Sequence, residues 1–317
     1  MNEAAGLMGV VLAAGKGARM LPFSESYPKP ILPVGGRPLL VHQLETMAQL
    51  GIRDVVVVIG HLGHEVVRAL GDGSRYGVRL KYVEQGETLG IAHAVSRLER
   101  HVDRPFFLFL GDIFFETENL GSMVQRLRDG AAGVLAVKTE PDPEAIRRNF
   151  IVMAGKDGRV TRVIEKPRHP RTNVKGCGIY LFDPAFFDAV RRTPRTALRD
   201  EYEITDSIQI FIDDGYRVDS ADVIRADLNL SFPRDLLELN LYLLDKSGQR
   251  NQLGEGVRVH EGASLDRCVL MDGVVVETPV QLRNVLVFPH VVLHRARDYS
   301  NAILTPDMEI RCDDRAL

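Results

Sequence analysis

The segment from Val10 to Pro33, VVLAAGKGARMLPFSESYPKPILP, decides the fold of this 317-residue chain. It opens on an apolar strand that runs directly into a loop of small and cationic residues. Gly15 and Gly17 let backbone N–H groups approach an anion closely. Arg19 and Lys29 add positive charge that can neutralise phosphate oxygens. The segment therefore predicts a polyphosphate site at the C-terminal end of a parallel strand.

Two common phosphate loops do not match this segment. A dinucleotide fingerprint needs a third glycine, but the residue three after Gly17 is Met20. A P-loop needs Gly-Lys followed by Ser or Thr, but Lys16 is followed by Gly17. Taken alone, the loop is also compatible with a plain strand-to-helix turn that carries surface charges.

Composition indicates an ordinary globular protein. Hydrophobic residues make up 45% of the chain and charged residues 26%, and the formal net charge is −3. Neither nucleic acid nor an anionic membrane is expected as a partner, and no apolar run is long enough to cross a bilayer. Three widely spaced cysteines do not suggest disulfides or a cysteine zinc site, so we expect a cytoplasmic location.

The first half of the chain alternates strand and helix patterns. Predicted strands are Val10–Ala13, Val55–Ile59, Leu80–Val83 and Phe106–Leu110, and predicted helices are Pro38–Leu50, Gly63–Leu70 and Ala92–Leu98. This rhythm predicts an α/β fold with a Rossmann-like, doubly wound sheet, which becomes mixed α+β after about residue 134. A helix over Leu236–Ser247 would end a catalytic domain spanning residues 1–247.

The pattern of apolar residues changes over residues 248–317. Apolar residues recur about every six positions, at Val257, Ala263, Val269, Val275, Val287 and Leu293. This row predicts a short, hexapeptide-repeat-like, left-handed parallel β-helix, although an irregular β tail remains an alternative. We expect the module to pack against the catalytic domain or a neighbouring subunit, and the protein to form a homo-oligomer.

Further motifs follow the glycine-rich loop along the chain. They are Val83–Gly90, Leu110-Gly111-Asp112, Glu165-Lys166-Pro167, Lys175–Tyr180, Glu203-Ile204-Thr205-Asp206 and the segment from Asp227 to Leu237. In this order they resemble the sugar-1-phosphate nucleotidylyltransferases, the thymidylyl- and uridylyltransferase family, over about residues 8–245. The resemblance implies an enzyme that transfers a nucleotidyl group from dTTP or UTP to a sugar 1-phosphate with Mg²⁺ and releases pyrophosphate.

The resemblance assigns nucleotide contacts to several residues, namely Leu12, Ala13, Gly15, Gly17, Arg19, Gln85 and Gly90. Arg19 and Lys29 would stabilise charge on the triphosphate as catalytic cations. The Gln85 amide can pair with the O4/N3 edge of a pyrimidine, and Gly90 would leave room for the ring. A polar surface turn is the alternative for Gln85, and the choice between uracil and thymine stays open.

Two aspartates are candidate magnesium ligands. Asp112 follows an apolar strand and would project at the sheet edge, and its carboxylate oxygens suit Mg²⁺. Asp227, near a Pro-x-Asp-Leu-Leu helix start, resembles the family's second metal ligand, but the spacing here is two residues longer than usual. A strand-end aspartate also commonly serves as a cap or turn residue.

The sugar phosphate would meet residues in the second half of the catalytic domain. By resemblance, Glu165 accepts hydrogen bonds from sugar hydroxyls, Lys166 pairs with the phosphate as a catalytic residue, and Gly176 and Gly178 line the sugar. A solvated Glu-Lys pair is the alternative. The chain departs from the family in having Ile151 where a pocket-shaping glycine is usual.

A second departure lies at Ala18, where the family has a hydroxyl side chain. These departures leave open a catalytically weak family member that binds a nucleotide sugar as a regulator or scaffold. An acetyltransferase activity in the tail is a third alternative.

Overall fold

The computed structural model describes residues 4–197 and 200–312, which fall into two compact units. The first unit comprises the described residues of Met1–Lys16 and Leu40–Asp227, and the second those of Gly17–Leu39 and Leu228–Leu317. The predicted catalytic region, residues 1–247, therefore contributes chain to both units. A domain boundary at residue 247 stays a prediction.

Strands run through the described chain from end to end. They are β1 (Met8–Ala13), β2 (Pro33–Val34), β3 (Arg37–Pro38), β4 (Asp54–Ile59), β5 (Arg79–Glu84), β6 (Phe106–Leu110), β7 (Ile113–Thr117), β8 (Gly133–Thr139), β9 (Phe150–Ala154), β10 (Val160–Glu165), β11 (Val174–Phe182), β12 (Val218–Asp222), β13 (Ile224–Asn229), β14 (Gln252–Leu253), β15 (Arg258–Val259), β16 (Ser264–Leu270), β17 (Val275–Val276), β18 (Gln281–Val287), β19 (Val292–Leu293), β20 (Tyr299–Leu304) and β21 (Glu309–Arg311).

Helices separate many of these strands. They are α1 (Leu39–Leu50), α2 (Gly63–Leu70), α3 (Ile91–Ser96), α4 (Gly121–Arg128), α5 (Pro143–Arg148), α6 (Phe186–Arg192), α7 (Ile204–Asp213) and α8 (Pro233–Ser247). The predicted bounds of α2 and β6 are confirmed to the residue. Helix α8 begins three residues before its predicted start, because Pro233 occupies the first helical turn, where a missing N–H costs nothing.

A nine-stranded mixed sheet forms the first unit, with the order β10-β9-β11-β6-β1-β4-β5 and with β8 paired to β11 and β12. Strands β6, β1, β4 and β5 are parallel, and Val10 lies opposite both Val56 and Leu108. Strand β11 runs antiparallel to β6, β8 and β9. The predicted Rossmann-like mixed α/β sheet is confirmed.

The core of this sheet follows from its apolar runs. Val55–Val58 and Phe106–Phe109 are buried along their whole length, as expected for strands covered on both faces. Because such strands leave no polar side chain in their interior, polar groups collect where the strands end. The parallel strands β1 and β6 end together at one edge.

The second unit contains the segment 17–39, helix α8 and the C-terminal strands. Strands β14, β16, β18 and β20 stack in parallel, as do β15, β17 and β19. Paired residues are 17 positions apart, as in Val275 opposite Val292, whereas three six-residue steps would give 18. The spacing between paired strands is therefore one residue shorter than the apolar row predicts.

Across the described residues, none of the helices has the length and apolar character needed to cross a lipid bilayer.

Candidate active site

The ends of β1 and β6 form the edge at which a ligand was expected. Leu12 lies opposite Leu110, and the Gly111 N–H donates to Leu12 O at 2.8 Å. A β-carbon at Gly111 would lie 2.7 Å from that oxygen, so only glycine permits this approach. The loop after β1 and the turn carrying Asp112 are therefore neighbours, as the sequence predicts.

The start of the glycine-rich loop is open. A β-carbon on Gly15 would meet no heavy atom within 4 Å, so packing does not explain the glycine. By contrast, Gly60 is required by packing, because a β-carbon there would lie 2.6 Å from Ala14 O. An exposed glycine with free space beside it is suited to a ligand that approaches the backbone.

The remainder of that loop lies in the second unit. Gly17 has a φ of +66°, and a β-carbon on it would lie 3.0 Å from Lys29 Cε, so the loop and the Pro-Lys-Pro turn meet here. Lys29 is buried, whereas Arg19 is exposed with its guanidinium carbon 5.5 Å from the Phe232 ring centroid. Stacking on the ring limits the orientations that the guanidinium adopts.

Asp112 lies half-buried in the turn between β6 and β7, and Gln43 of α1 supports that turn. The buried Gln43 amide donates to Leu110 O and to Ile113 O, each at 2.8 Å. These carbonyls flank Gly111 and Asp112, so one side chain holds both ends of the turn that carries Asp112. Gln43 was not predicted as a functional residue, because a glutamine inside an amphipathic helix gives no local signal of its distant partners.

The predicted base-binding residues Gln85 and Gly90 flank a short loop before α3. Gln85 is buried, and its Nε2 lies 3.4 Å from His93 Nδ1. Burial, and then the charge of Arg97, lower the pKa of His93, which favours a neutral imidazole. A β-carbon on Gly90 would lie 2.5 Å from Tyr202 O, so this glycine has a packing reason of its own.

Glu165 ends β10 and contacts the predicted supporting motif, and Lys166 follows it directly. Thr205, in the Glu-Ile-Thr-Asp segment, donates its hydroxyl to Glu165 at 3.4 Å, and Lys166 Nζ lies 3.7 Å from the other carboxylate oxygen. Lys166 has a φ of +41° and donates its N–H to Asn149 O. A non-glycine residue held in this region is strained, which is common at functional sites.

Gly176 is required by a side chain packed against it, and Gly178 by its own backbone conformation. A β-carbon on Gly176 would lie 1.8 Å from Phe150 Cζ, and Gly178 has a φ of +71°. The Phe150 ring stacks on Tyr180 at a centroid distance of 6.2 Å. The unusual Ile151 is fully buried and pairs with Lys175, so its bulk goes into packing. The sequence did not foresee this packing role for Gly176.

Asp227 belongs to a cluster of four charged side chains, called here the ion quartet: Lys138, Glu140, Lys175 and Asp227. Lys138 Nζ lies 2.8 Å from Asp227 Oδ1, and Lys175 Nζ lies 2.6 Å from Asp227 Oδ2. Glu140 Oε2 lies 3.0 Å from Lys138 Nζ and 3.7 Å from Lys175 Nζ. The predicted second metal ligand therefore has an ammonium group at each oxygen.

The two predicted metal ligands fit Mg²⁺ differently. Asp112 offers carboxylate oxygens of the kind that Mg²⁺ prefers, at the expected sheet edge. Asp227 does not fit, because a divalent cation on its oxygens would lie beside two ammonium groups. At an effective dielectric constant of about 20, the repulsion between a divalent cation and one ammonium group about 5 Å away would cost roughly 7 kcal/mol. Within residues 4–197 and 200–312, no three His, Cys, Asp or Glu side chains gather as a metal site.

Comparison with known proteins identifies the class. Residues 8–227 match the nucleotidyl transferase family. The chain is 35% identical over 246 residues to the UTP–glucose-1-phosphate uridylyltransferase AglF of Haloferax volcanii, covering 78% of this chain and all of the relative. It is 32% identical over 301 residues to a glucose-1-phosphate thymidylyltransferase of Streptomyces antibioticus, covering 94% and 80%.

A solved structure agrees with these relatives. The putative glucose-1-phosphate thymidylyltransferase of Bacillus anthracis superposes with a TM-score of 0.66 at 25% identity, covering 76% of this chain and 96% of that one. The chain thus belongs to the nucleotidyl transferase family, among the sugar-1-phosphate nucleotidyltransferases. The predicted family and enzyme class are confirmed.

Proposed function

We propose that the protein transfers a nucleotidyl group from UTP or dTTP to a sugar 1-phosphate in a magnesium-dependent reaction. The family match across residues 8–227, which spans the paired ends of β1 and β6, is the observation that carries the proposal. Glucose 1-phosphate is the first sugar phosphate to test, because it appears in the names of both relatives given above.

The chemistry needs positioning and charge rather than a protein nucleophile. A sugar-phosphate oxygen attacks the α-phosphorus, the bond from that phosphorus to the bridging oxygen breaks, and the electron pair leaves with pyrophosphate. Arg19 and Lys29 would stabilise the triphosphate charge, and Lys166 would pair with the sugar phosphate. Mg²⁺ held at Asp112 would supply further positive charge to the phosphates.

The proposal also assigns residues to the recognition of the pyrimidine base and of the sugar. The Gln85 amide would recognise the pyrimidine edge beside Gly90, and Glu165 would accept hydrogen bonds from sugar hydroxyls near Gly176 and Gly178. The open backbone at Gly15 supports nucleotide binding along Leu12, Ala13, Gly15 and Gly17. The proposal does not include Asp227 as a second metal ligand, because both of its oxygens lie at ion-pair distance from lysines.

Pyrophosphate release tests the reaction directly. We expect UTP or dTTP with glucose 1-phosphate and Mg²⁺ to release pyrophosphate, and GTP and ATP to be poor substrates. Arg19→Ala and Lys166→Met should each lower kcat/KM by on the order of 10²-fold. The matched control, Lys156→Met in an exposed turn, should stay within about twofold of the wild type.

A negative result separates the alternatives. Tight binding of a nucleotide sugar without pyrophosphate release, across several sugar phosphates, would favour the regulator or scaffold function. Acetyl-CoA consumption would favour an acetyltransferase in the C-terminal strands.

The C-terminal strands support a structural proposal as well. We infer that residues 252–304 form a short left-handed parallel β-helix, supported by the 17-residue spacing of their parallel partners. Strand β21 lies outside this repeat, because it pairs antiparallel with β20. Homo-oligomer formation and a cytoplasmic location stay predictions. Light scattering of the purified protein and of a variant lacking residues 248–317 would test whether these strands mediate assembly.

A further inference from the structure

The ion quartet is closed and electrically neutral. The charges of its two lysines balance those of Glu140 and Asp227. Each ammonium nitrogen lies 3.7 Å or less from an oxygen of both carboxylates. Side-chain exposure is 5% for Lys175 and 7% for Asp227, so water screens this pair weakly. In such surroundings a charge that loses its partner is costly, whereas the complete set is tolerated.

The quartet joins strands that belong to different sheets. Lys138 lies on β8 and Lys175 on β11, both in the nine-stranded sheet, whereas Asp227 lies on β13. Strand β13 leaves that sheet after β12 and pairs instead with β7, which begins at the residue after Asp112. The same pairing continues at its end, where the Glu118 N–H donates to Val223 O at 2.8 Å.

We propose that Asp227 is a positioning residue that acts through this connection, and not a metal ligand. Lys138 and Lys175 hold its carboxylate, and with it β13, against β8 and β11. Strand β13 in turn holds β7 and the turn that carries Asp112. The effect on Asp112 rests on the proposed function, whereas the ion-pairing role of Asp227 does not.

A double-mutant cycle distinguishes the two roles of Asp227. Asp227→Asn leaves one lysine charge unbalanced, whereas Asp227→Asn combined with Lys175→Met removes one charge of each sign and keeps the Lys138–Glu140 pair at 3.0 Å. We expect the single variants to lower Tm by several degrees, and the double variant to recover at least about half of the loss. Additive Tm losses would overturn the proposal.

A second readout is the binding of Mn²⁺ alone, which electron paramagnetic resonance measures through the signal of the free ion. Asp227→Asn should weaken Mn²⁺ binding about three- to tenfold by displacing Asp112, and the double variant should return to within about twofold of the wild type. A loss of more than about tenfold that the double variant does not repair would show that Asp227 is a ligand, because removing a lysine cannot replace a missing oxygen.

Asp219 offers a matched control in the same unit. Its fully buried carboxylate also contacts two cations, Arg217 at 2.7 Å and Arg126 at 3.6 Å. Asp219→Asn should lower Tm without weakening Mn²⁺ binding, and an equal weakening would overturn the proposed connection from β13 to Asp112. Absence of Mn²⁺ binding in the wild type would count against the proposed magnesium site, and the Tm cycle would still decide the ion-pairing role.

Discussion

Gln43 shows how a single side chain outside the motifs supports the candidate site. Its amide donates to two carbonyls on either side of Asp112; the hydrogen bond to Ile113 is buried and the one to Leu110 is partly buried. Gln43→Leu keeps similar volume but leaves both oxygens without this donor. We expect a loss of about 2–4 kcal/mol in the free energy of unfolding, measured by urea denaturation.

The control for this change is Gln125→Leu, because Gln125 is on a helix surface and bonds locally to Asp129. This variant should stay within about 0.5 kcal/mol of the wild type. Equal stability losses in the two variants would show that the turn at Asp112 does not depend on Gln43.

His93 predicts a pH dependence of nucleotide binding. Burial, and then Arg97, hold the pKa of His93 below its ordinary value of 6.5, so the neutral ring dominates at neutral pH. Only a neutral Nδ1 without a proton accepts from Gln85 Nε2. Because the pKa of His93 is lowered in the folded state, the hydrogen bond from Gln85 stabilises the site above pH 6.5. This stabilisation is lost as the pH falls through the folded-state pKa of His93.

Calorimetry with UTP between pH 7.5 and 5 measures this effect. We expect the wild type to lose about three- to tenfold in affinity below pH 6.5, and His93→Gln, which does not titrate, to lose less. The same pH profile in both proteins would contradict a role for His93 in orienting Gln85.

At the scale of elements, the C-terminal strands share a ladder of left-handed residues. Arg267, Asn284 and Asn301 lie 17 residues apart, with φ values of +53°, +51° and +46°. Arg267 donates to Asn284 Oδ1 at 3.0 Å, and Asn284 donates to Asn301 Oδ1 at 2.8 Å. Asparagine tolerates this backbone region better than most residues do, and the three residues occupy equivalent positions in β16, β18 and β20.

A pair of substitutions at Asn284 separates the backbone from the side chain. Asn284→Ala loses both hydrogen bonds and keeps a β-carbon in the left-handed region, so we expect a cost of about 2–3 kcal/mol. Asn284→Gly loses the same bonds without that strain and should be the more stable variant in thermal unfolding. An alanine variant as stable as the glycine variant would refute the backbone argument.

Elements of regular periodicity were predictable, and close contacts between elements were not. The β-branched run before Gly60 and the apolar run before Gly111 define their strands locally, because burial on both faces selects such residues. The contact between Gly176 and Phe150 depends on two strands meeting in register, which no local pattern encodes. The ion quartet is similar, since its lysines are ordinary charges in the sequence and become buried (Lys175) or partly buried (Lys138) only in the sheet.

At the scale of the whole molecule, the C-terminal strands support the segment that carries Arg19 and Lys29. Phe288 packs edge-on against Phe23 at 5.5 Å and against Tyr27 at 5.3 Å, within the second unit. Burial, the largest influence, raises the pKa of Tyr27. Two aromatic residues of the segment 17–39 thus pack against a residue more than 200 positions later in the chain.

Phe288→Ala tests this dependence. Because Phe288 is buried in an aromatic cluster, we expect a loss of about 3–5 kcal/mol in stability and faster hydrogen exchange over residues 17–39. The control Val292→Ala, at an exposed position of β19, should change neither quantity measurably. Unchanged exchange over residues 17–39 in Phe288→Ala would show that the segment folds independently of the C-terminal strands.

The sequence by itself determined the class of the protein: apolar strands with small residues at their ends define the sheet and its binding edge. It also determined the reaction class through motifs whose order matches the family. Only the tertiary structure decided that Gly90 and Gly176 serve packing, that Gln43 supports the turn at Asp112, and that Asp227 is paired with lysines. The reason is physical, because periodicity is a local property of the chain, whereas close approach and charge compensation depend on strands brought together by folding.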